Sequence, residues 1–400
     1  MPTIVKQVCS NWSGDIRFSP AEIVIPENEE QLVQVVEKAI AHRSTIRTVG
    51  AKHSCSRIFE TDQLLVSMEN FKGLYDYDAA KGTAVIGAGT TIEEAGEALF
   101  SVGLAMENTG HIDKQAMAGA MSTGTHGAGK HLRNLSGQIT GVRMVTGKGA
   151  IQEFDEEHHP QILQALKVSL GSMGIFTSVT LRALPIFKLH RRQYCAGADD
   201  CLTHLDQLME ENRNFCFYWY PRRDDVSIKL WNEPGHGTAA LPYARLYKEY
   251  SGWSKDVLPT EQHLKFNELE YSFDLETAPA CFQEIRRCIK EKHRKQIAWR
   301  VLFRPVAADD VYISNAYGKN IVAITIHHHA ALPYEDYFFD IEKIFQAYGG
   351  RPHWGKKHSL NAAALKQLYP MWGSFQQLRE AFDPNGIFLN DYLRNVFLEK

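Results

Sequence analysis

His53 stands in VGAKHSCSRI, Val49 to Ile58, where the apolar run Ile46 to Val49 gives way to a turn of glycine and small residues. A turn of that composition brings bare backbone against a ligand. An imidazole placed there can serve as a nucleophile or simply cap a carbonyl. Two further segments share this character, VIGAGTTIEEAG (Val85 to Gly96) and AGAMSTGTHGAG (Ala118 to Gly129). The latter packs four glycines and three hydroxyl residues into twelve positions, which suits backbone N–H groups approaching a flat or anionic ligand. Neither is a dinucleotide fingerprint, because Ile92 occupies the third glycine position after Gly87 and Gly89, and a Rossmann enzyme is disfavoured. The run His327, His328, His329 invites a metal reading. Strand alternation would split it between two faces, and no carboxylate at helical spacing accompanies it, so no metal site is expected.

The elements that must position these loops are legible by period. From Ala21 to about Pro185 short strand-like runs alternate with helical ones: a helix over Glu30 to Ala41, strands over Ile46 to Val49, Leu64 to Ser67 and Thr83 to Ile86, and a helix over Ile92 to Val102. Thr91 and Glu94 have the spacing of a capping box at the start of that last helix. The glycine-punctuated SLGSMGIFTSVTLRALP closes the region at Pro185. Longer strands and aromatic runs follow, FCFYWYPRRDD and VAITIHHHA among them. From about Tyr334 the chain returns to helix, then RPHWGKKH and DPNGIFLNDYL.

Four hundred residues with a net charge of −3 exceed one ordinary core and lack the basic excess that nucleic acid binding needs. The N-terminus MPTIVKQVCSNWSGD has no basic region followed by an apolar run, and no window approaches the roughly 20 apolar residues of a membrane span. A cytoplasmic protein is expected. Seven scattered cysteines without a CxxC pair read as reduced thiols, with Cys281 and Cys288 sharing one helix face for packing.

The three loops, in this order, resemble the vanillyl-alcohol oxidase (PCMH) type of FAD-binding fold, and LGSMGIF, Leu170 to Phe176, matches the motif whose backbone meets the adenine side. RPHWGKKH and DPNGIFLNDYL look like the C-terminal signature of the aldonolactone and alditol oxidases, which include gulonolactone, arabinonolactone and xylitol-type oxidases. The resemblance runs from about Ala21 to Phe397. It implies an α+β chain with an FAD-binding domain over 1–185 and an antiparallel-sheet substrate domain over 186–333. The segment 334–400 would return to the FAD domain and close the active site. FAD is the implied cofactor, held by Gly50, Ala51, Lys52, Ser54, Gly110, Ala118, Gly119, Ser122, Gly124, Thr125, His126, Gly174 and Ile175. In several relatives the histidine of a G-x-x-H-S context is bonded to the 8α carbon of the flavin. Gly50 to Ser54 reproduces that context, which makes His53 the expected covalent attachment point.

On the substrate side, WRVLFRPVAADD resembles the family strand in which a glutamate and an arginine two residues apart face flavin and substrate. Arg304 matches the arginine, but Leu302 stands in the glutamate's place. Lys356 in HWGK matches the lysine that reaches the active site of relatives, with Lys357 beside it as the competing assignment. Fixed cations at these positions would stabilise the reduced flavin. His111 and His327 are the candidate proton acceptors, since imidazole titrates near neutrality. In the alditol oxidases a serine stands at the position of His111, while the histidine and threonine matching Thr325 and His327 are exchanged. Gly110 falls where dehydrogenases of the family carry an oxygen-blocking alanine, which favours an oxidase.

The expectation is therefore an FAD-dependent oxidase that moves hydride from a hydroxyl-bearing carbon, of sugar alcohol or aldonolactone type, to flavin N5, with oxygen giving peroxide. Leu302 leaves room for a less hydroxylated alcohol or an amine as substrate. A dehydrogenase using a quinone or cytochrome is a second reading, and a degraded flavin-binding protein a third.

Overall fold

In EEQLVQVVEKAIAH apolar residues recur every three or four positions, and the segment folds as helix Glu29–His42 with Leu32, Val35, Val36 and Ala39 buried. Asn28 caps it, Oδ1 accepting from the Gln31 N–H at 3.0 Å, and left-handed Arg43 (φ 54°) ends it. Each of the three larger aliphatic side chains contributes about 1.5–3 kcal/mol by burial. The predicted capping box is present on helix Ile92–Ser101: Thr91 Oγ1 accepts from Glu94 N (3.1 Å) and Glu94 Oε2 accepts from Thr91 N (2.8 Å). The structure is a computed structural model that describes residues 3–5, 7–237, 240–259, 264–297 and 299–399.

Two sheets build the first core. One runs in the order Thr3–Val5, Glu22–Ile25, Leu64–Ser67, Ile46–Val49, its last three strands parallel. The other is antiparallel, in the order Ile151–Asp155, Ile139–Thr146, Gly174–Arg182, Thr83–Gly87, Leu74–Asp78. The second core lies behind an eight-stranded antiparallel sheet. Its order is Arg245–Trp253, Lys188–Gly197, Asp225–Asn232, Asn214–Tyr220, Val301–Val306, Ile321–His329, Phe266–Asp274, Arg351–Pro352.

Strand alternation divides that large sheet by chemistry. Phe215, Phe217, Trp219, Phe303, Ile324, Ile326, Leu269 and Tyr271 face the apolar core beneath helices Ala278–Cys288 and Glu335–Ala347. The opposite face carries Tyr218, Leu302, Thr325 and Glu270 in a single register row, strand to strand. Tyr337, Phe338, Ile341 and Phe345 of helix Glu335–Ala347 pack into the second core, while Val311, Tyr312 and Ile313 and the chain from Trp354 onward contribute to the first. Among the described residues no helix is long and apolar enough to cross a membrane. All seven cysteines are free; Cys281 is buried and Cys288 half-buried on their shared helix.

Candidate active site

The loop after strand Ile46–Val49 begins at Gly50 because nothing larger fits: a Cβ there would lie 2.5 Å from the Ala116 Cβ of the second glycine-rich segment. Lys52 is left-handed (φ 60°), and its carbonyl accepts from Trp12 N at 2.8 Å. His53 then stacks on Trp12, ring centroids 5.6 Å apart. Burial, reinforced by the Lys356 ammonium, pushes His53 down to about 4, so the ring is neutral at physiological pH and its nitrogen lone pair is free for bonding.

Gly50, Ala51, Lys52, His53 and Ser54 line one side of a cleft, with Ala118, Gly119, Ser122, Gly174 and Ile175 on the others. Gly119 tests whether a ligand belongs there. It sits in helix Met117–Ser122 without a positive φ, and a Cβ added to it would meet nothing within 4 Å. Glycine in a helix costs about 0.5–1 kcal/mol relative to alanine. No protein atom demands that cost, whereas a ligand pressed against the backbone would. The cleft's wall of main chain and small residues fits FAD. Gly174 has a packing reason as well, because its Cβ would lie 2.2 Å from Met144 Cε.

Arg47, unremarked in the sequence, holds this cleft together. Fully buried at 1% exposure, it donates from Nε to Ile58 O (2.6 Å), from Nη1 to Gly171 O (3.0 Å) and Phe388 O (2.5 Å), and from Nη2 to Leu170 O (2.7 Å). Three separate stretches of chain thus meet on one guanidinium. An arginine in the middle of an apolar strand, IRTV, was the available signal.

A second cavity adjoins the cleft, and Gln115 lines both. Gly110, Thr125 and His126 lie here rather than in the cofactor cleft, together with all four candidate catalytic residues, His111, Arg304, His327 and Lys356. Gly124 lines neither cavity: with φ 70° and Val168 Cγ2 3.8 Å from a virtual Cβ, it is a turn glycine. Lys357 turns away to Asp15 (2.6 Å), which leaves Lys356 as the lysine of the cavity.

The carboxylate missing at Leu302 comes from elsewhere. In FNELEYSFD the alternation points Glu268 and Glu270 to the cavity face and Leu269 and Tyr271 to the core. Glu270 stands in Leu302's own register row two strands away, with Thr325 between them. Fully buried, it accepts from Arg304 Nη2 (2.7 Å), from Thr325 Oγ1 (2.6 Å) and from His126 Nε2 (2.8 Å). Burial alone would raise its pKa, but Arg304, His353 and His126 outweigh that and hold it well below the usual carboxylate range. The other ring nitrogen of His126 faces Gly127 O at 2.9 Å.

Glu268 binds the Lys356 ammonium and lies 3.1 Å from His327 Nε2. His327 Nδ1 faces Arg300 O at 3.1 Å. Burial, then Arg300, pushes this histidine down to about 3, so the ring is neutral and Nδ1 holds its single proton. The Nε2···Oε1 contact closes as a hydrogen bond only with one more proton between the two atoms. At the other end of the cavity His111 Nδ1 lies 3.1 Å from Tyr218 Oη, and burial together with Arg304 holds His111 well below its ordinary value.

HWGK ties the two cavities together. His353 N donates to Glu270 O (2.9 Å) and Lys357 N to Glu268 O (3.0 Å) on one side; on the other, Cys55 N donates to Gly355 O (2.8 Å) and Ser56 Oγ to Trp354 O (2.8 Å). Trp354 is fully buried and donates from Nε1 to Ile313 O at 2.7 Å. Truncating a side chain of that size costs about 3–5 kcal/mol.

Comparison with known proteins agrees with this layout. The D-arabinono-1,4-lactone oxidase family matches residues 179–238 and 236–396, and the FAD binding domain family matches residues 20–155. The L-gulono-1,4-lactone dehydrogenase of Mycobacterium tuberculosis is 30% identical across 97% of this chain and 99% of its own length. The L-gulonolactone oxidase of Scyliorhinus torazame is 27% identical, covering 97% of each chain. Cholesterol oxidase from Brevibacterium sterolicum shares the fold, with a TM-score of 0.86 at 16% identity over 99% of this chain and 97% of that one. With both halves matched by family and one cleft walled for the cofactor, the chain belongs to the D-arabinono-1,4-lactone oxidase family and is an FAD-dependent oxidoreductase.

Proposed function

We propose that this chain oxidises a hydroxyl-bearing carbon of a sugar-derived lactone or polyol in the second cavity and passes the electrons to oxygen. FAD, when bound, supplies the acceptor for the substrate's C–H hydrogen and its electron pair. The chain supplies the rest. Glu268 and His327 take the hydroxyl proton. Arg304 and Lys356 stabilise the negative charge that the cofactor gains. Oxygen then receives two electrons and two protons and leaves as peroxide. The observation that carries this reading is the meeting at Gln115 of a backbone-walled cleft and a cavity lined by buried, paired acids and cations. The lactone names of the relatives support the substrate class.

Two finer assignments belong to the same proposal. His53, neutral and at the rim of the cleft, is the covalent anchor of the flavin. Its bond is tested by acid precipitation: the pellet stays yellow, and His53→Ala releases all colour to the supernatant. Gly110 leaves oxygen its path. A panel of aldonolactones, sugar alcohols and amines, scored for peroxide release and for anaerobic bleaching, tests the reaction. Bleaching without peroxide, and turnover only with a quinone or cytochrome, would replace the oxidase with a dehydrogenase.

A further inference from the structure

Charges at the near end of the second cavity are matched, Arg304 with Glu270 and Lys356 with Glu268. Beyond the wall that Tyr218 and His111 give the cavity, outside its lining, two cations are not: on the same sheet face Lys229 is 9% exposed and Arg191 4% exposed. The Lys229 ammonium lies 4.3 Å from the centre of the Tyr218 ring, and the Arg300 guanidinium lies 4.7 Å from that same ring. Tyr218 lines the cavity and meets His111 across it. Arg191 sits 4.7 Å from the Trp231 ring, which in turn lies against His111, and it donates to Tyr250 Oη (2.7 Å) and Val257 O (3.4 Å). Among the described residues neither Lys229 nor Arg191 has a carboxylate within ion-pair distance. The acid that shares Lys229's strand face, Asp225, is held by Arg223 at 3.0 Å.

Buried cations without a counter-charge are costly, and they persist where an anion arrives to complete them. We infer that Lys229 and Arg191, behind the cavity wall made by Tyr218 and His111, form an oxyanion subsite that extends the cavity, and that the substrate is a sugar-derived alcohol or lactone bearing a carboxylate or phosphate group. This inference rests on the oxidation proposed above for the near end. The Tyr218 strand lies two strands from that of His327, which at about 4.8 Å per strand is about 10 Å, a span suited to a hexose-sized chain. The field is consistent with it: burial first, then neighbouring cations including Arg191 and Arg300, brings Lys229 down to about 8.

The test uses holoenzyme titrated with inorganic phosphate in one arm and acetate in the other, followed by the flavin difference spectrum and by thermal stability. Saturable binding is expected in at least one arm, and the arm that binds more tightly names the source of the oxyanion. Lys229→Met weakens it by about tenfold or more, and Lys229→Arg, which keeps the charge, restores it. Binding in neither arm, or binding unchanged by Lys229→Met, overturns the subsite. A flavin that no hydroxylated compound bleaches would instead overturn the oxidation reading while leaving oxyanion binding measurable.

Discussion

Replacing Gly119 with alanine separates a cofactor glycine from a turn glycine, because the two readings give opposite signs. In the free protein the new methyl group meets no atom within 4 Å, and the residue lies in helix Met117–Ser122 without a positive φ. The helix therefore gains about 0.5–1 kcal/mol from the substitution. For a unit of this size that raises the apoprotein's melting temperature by about 1–4 °C. With FAD in the cleft the same methyl overpacks the contact, at a cost of about 1–3 kcal/mol. Affinity then falls about 5- to 150-fold. His53→Ala serves as the background in which the cofactor exchanges, with calorimetry for the free protein and flavin fluorescence for affinity. Gly50→Ala is the control: its Cβ would strike Ala116 at 2.5 Å and should destabilise the free protein as well. A Gly119→Ala protein that binds FAD as tightly as its parent, or that melts lower when empty, would refute the reasoning.

Three further outcomes follow from the same geometry. Gly110→Ala puts a Cβ 3.0 Å from Thr125 Cγ2 and narrows the approach to the cofactor; stopped-flow reoxidation by oxygen should slow about tenfold, an added barrier of about 1.4 kcal/mol, while anaerobic reduction is retained. Arg304→Met strips Glu270 of one of its charged partners, and chemical denaturation should register a loss of about 3–5 kcal/mol; an unchanged midpoint would mean that His126 alone satisfies the acid. Burial holds His327 and His353 down to about 3 and about 4, against roughly 6.5 in an unfolded chain. The unfolded state thus binds more protons in that interval, so stability is complete above about pH 6.5 and declines as the pH falls toward 4, by more than about 1.4 kcal/mol per unit. Glu270, depressed in the fold, acts in the same sense at lower pH. A melting temperature independent of pH between 6.5 and 4.5 would contradict this.

The sequence displayed whatever depends on neighbours a few residues apart. Helix Glu29–His42 and the capping box at Thr91 follow from local spacing, and the glycine loops announce themselves by composition. Gly124 shows the limit of composition, since a glycine serving its own turn looks no different from one serving a ligand. The absent glutamate at 302 was misleading for a different reason. Which carboxylate meets Arg304 is decided by strand pairing across the sheet, and Glu270 is 34 residues away in the chain. The alternation in FNELEYSFD identifies the two acids as facing away from the core, but without the register nothing connects them to Arg304, His126 or His327. Arg47 is hidden likewise, because its acceptors at 170, 171 and 388 converge only in three dimensions.

The strap around Trp354 carries a consequence for how the protein is made. The Trp354 carbonyl that Ser56 reaches and the Phe388 carbonyl that Arg47 reaches lie 298 and 341 residues further along the chain and are translated long after their donors, as is Lys356. While earlier portions emerge and begin to fold, the cation beside Glu268 has not yet been translated, and the second cavity lacks the wall that His353 and Lys356 supply. Completion of that cavity is thus a late event in biosynthesis, reached when residues 353–388 fold back onto strands and loops made long before them.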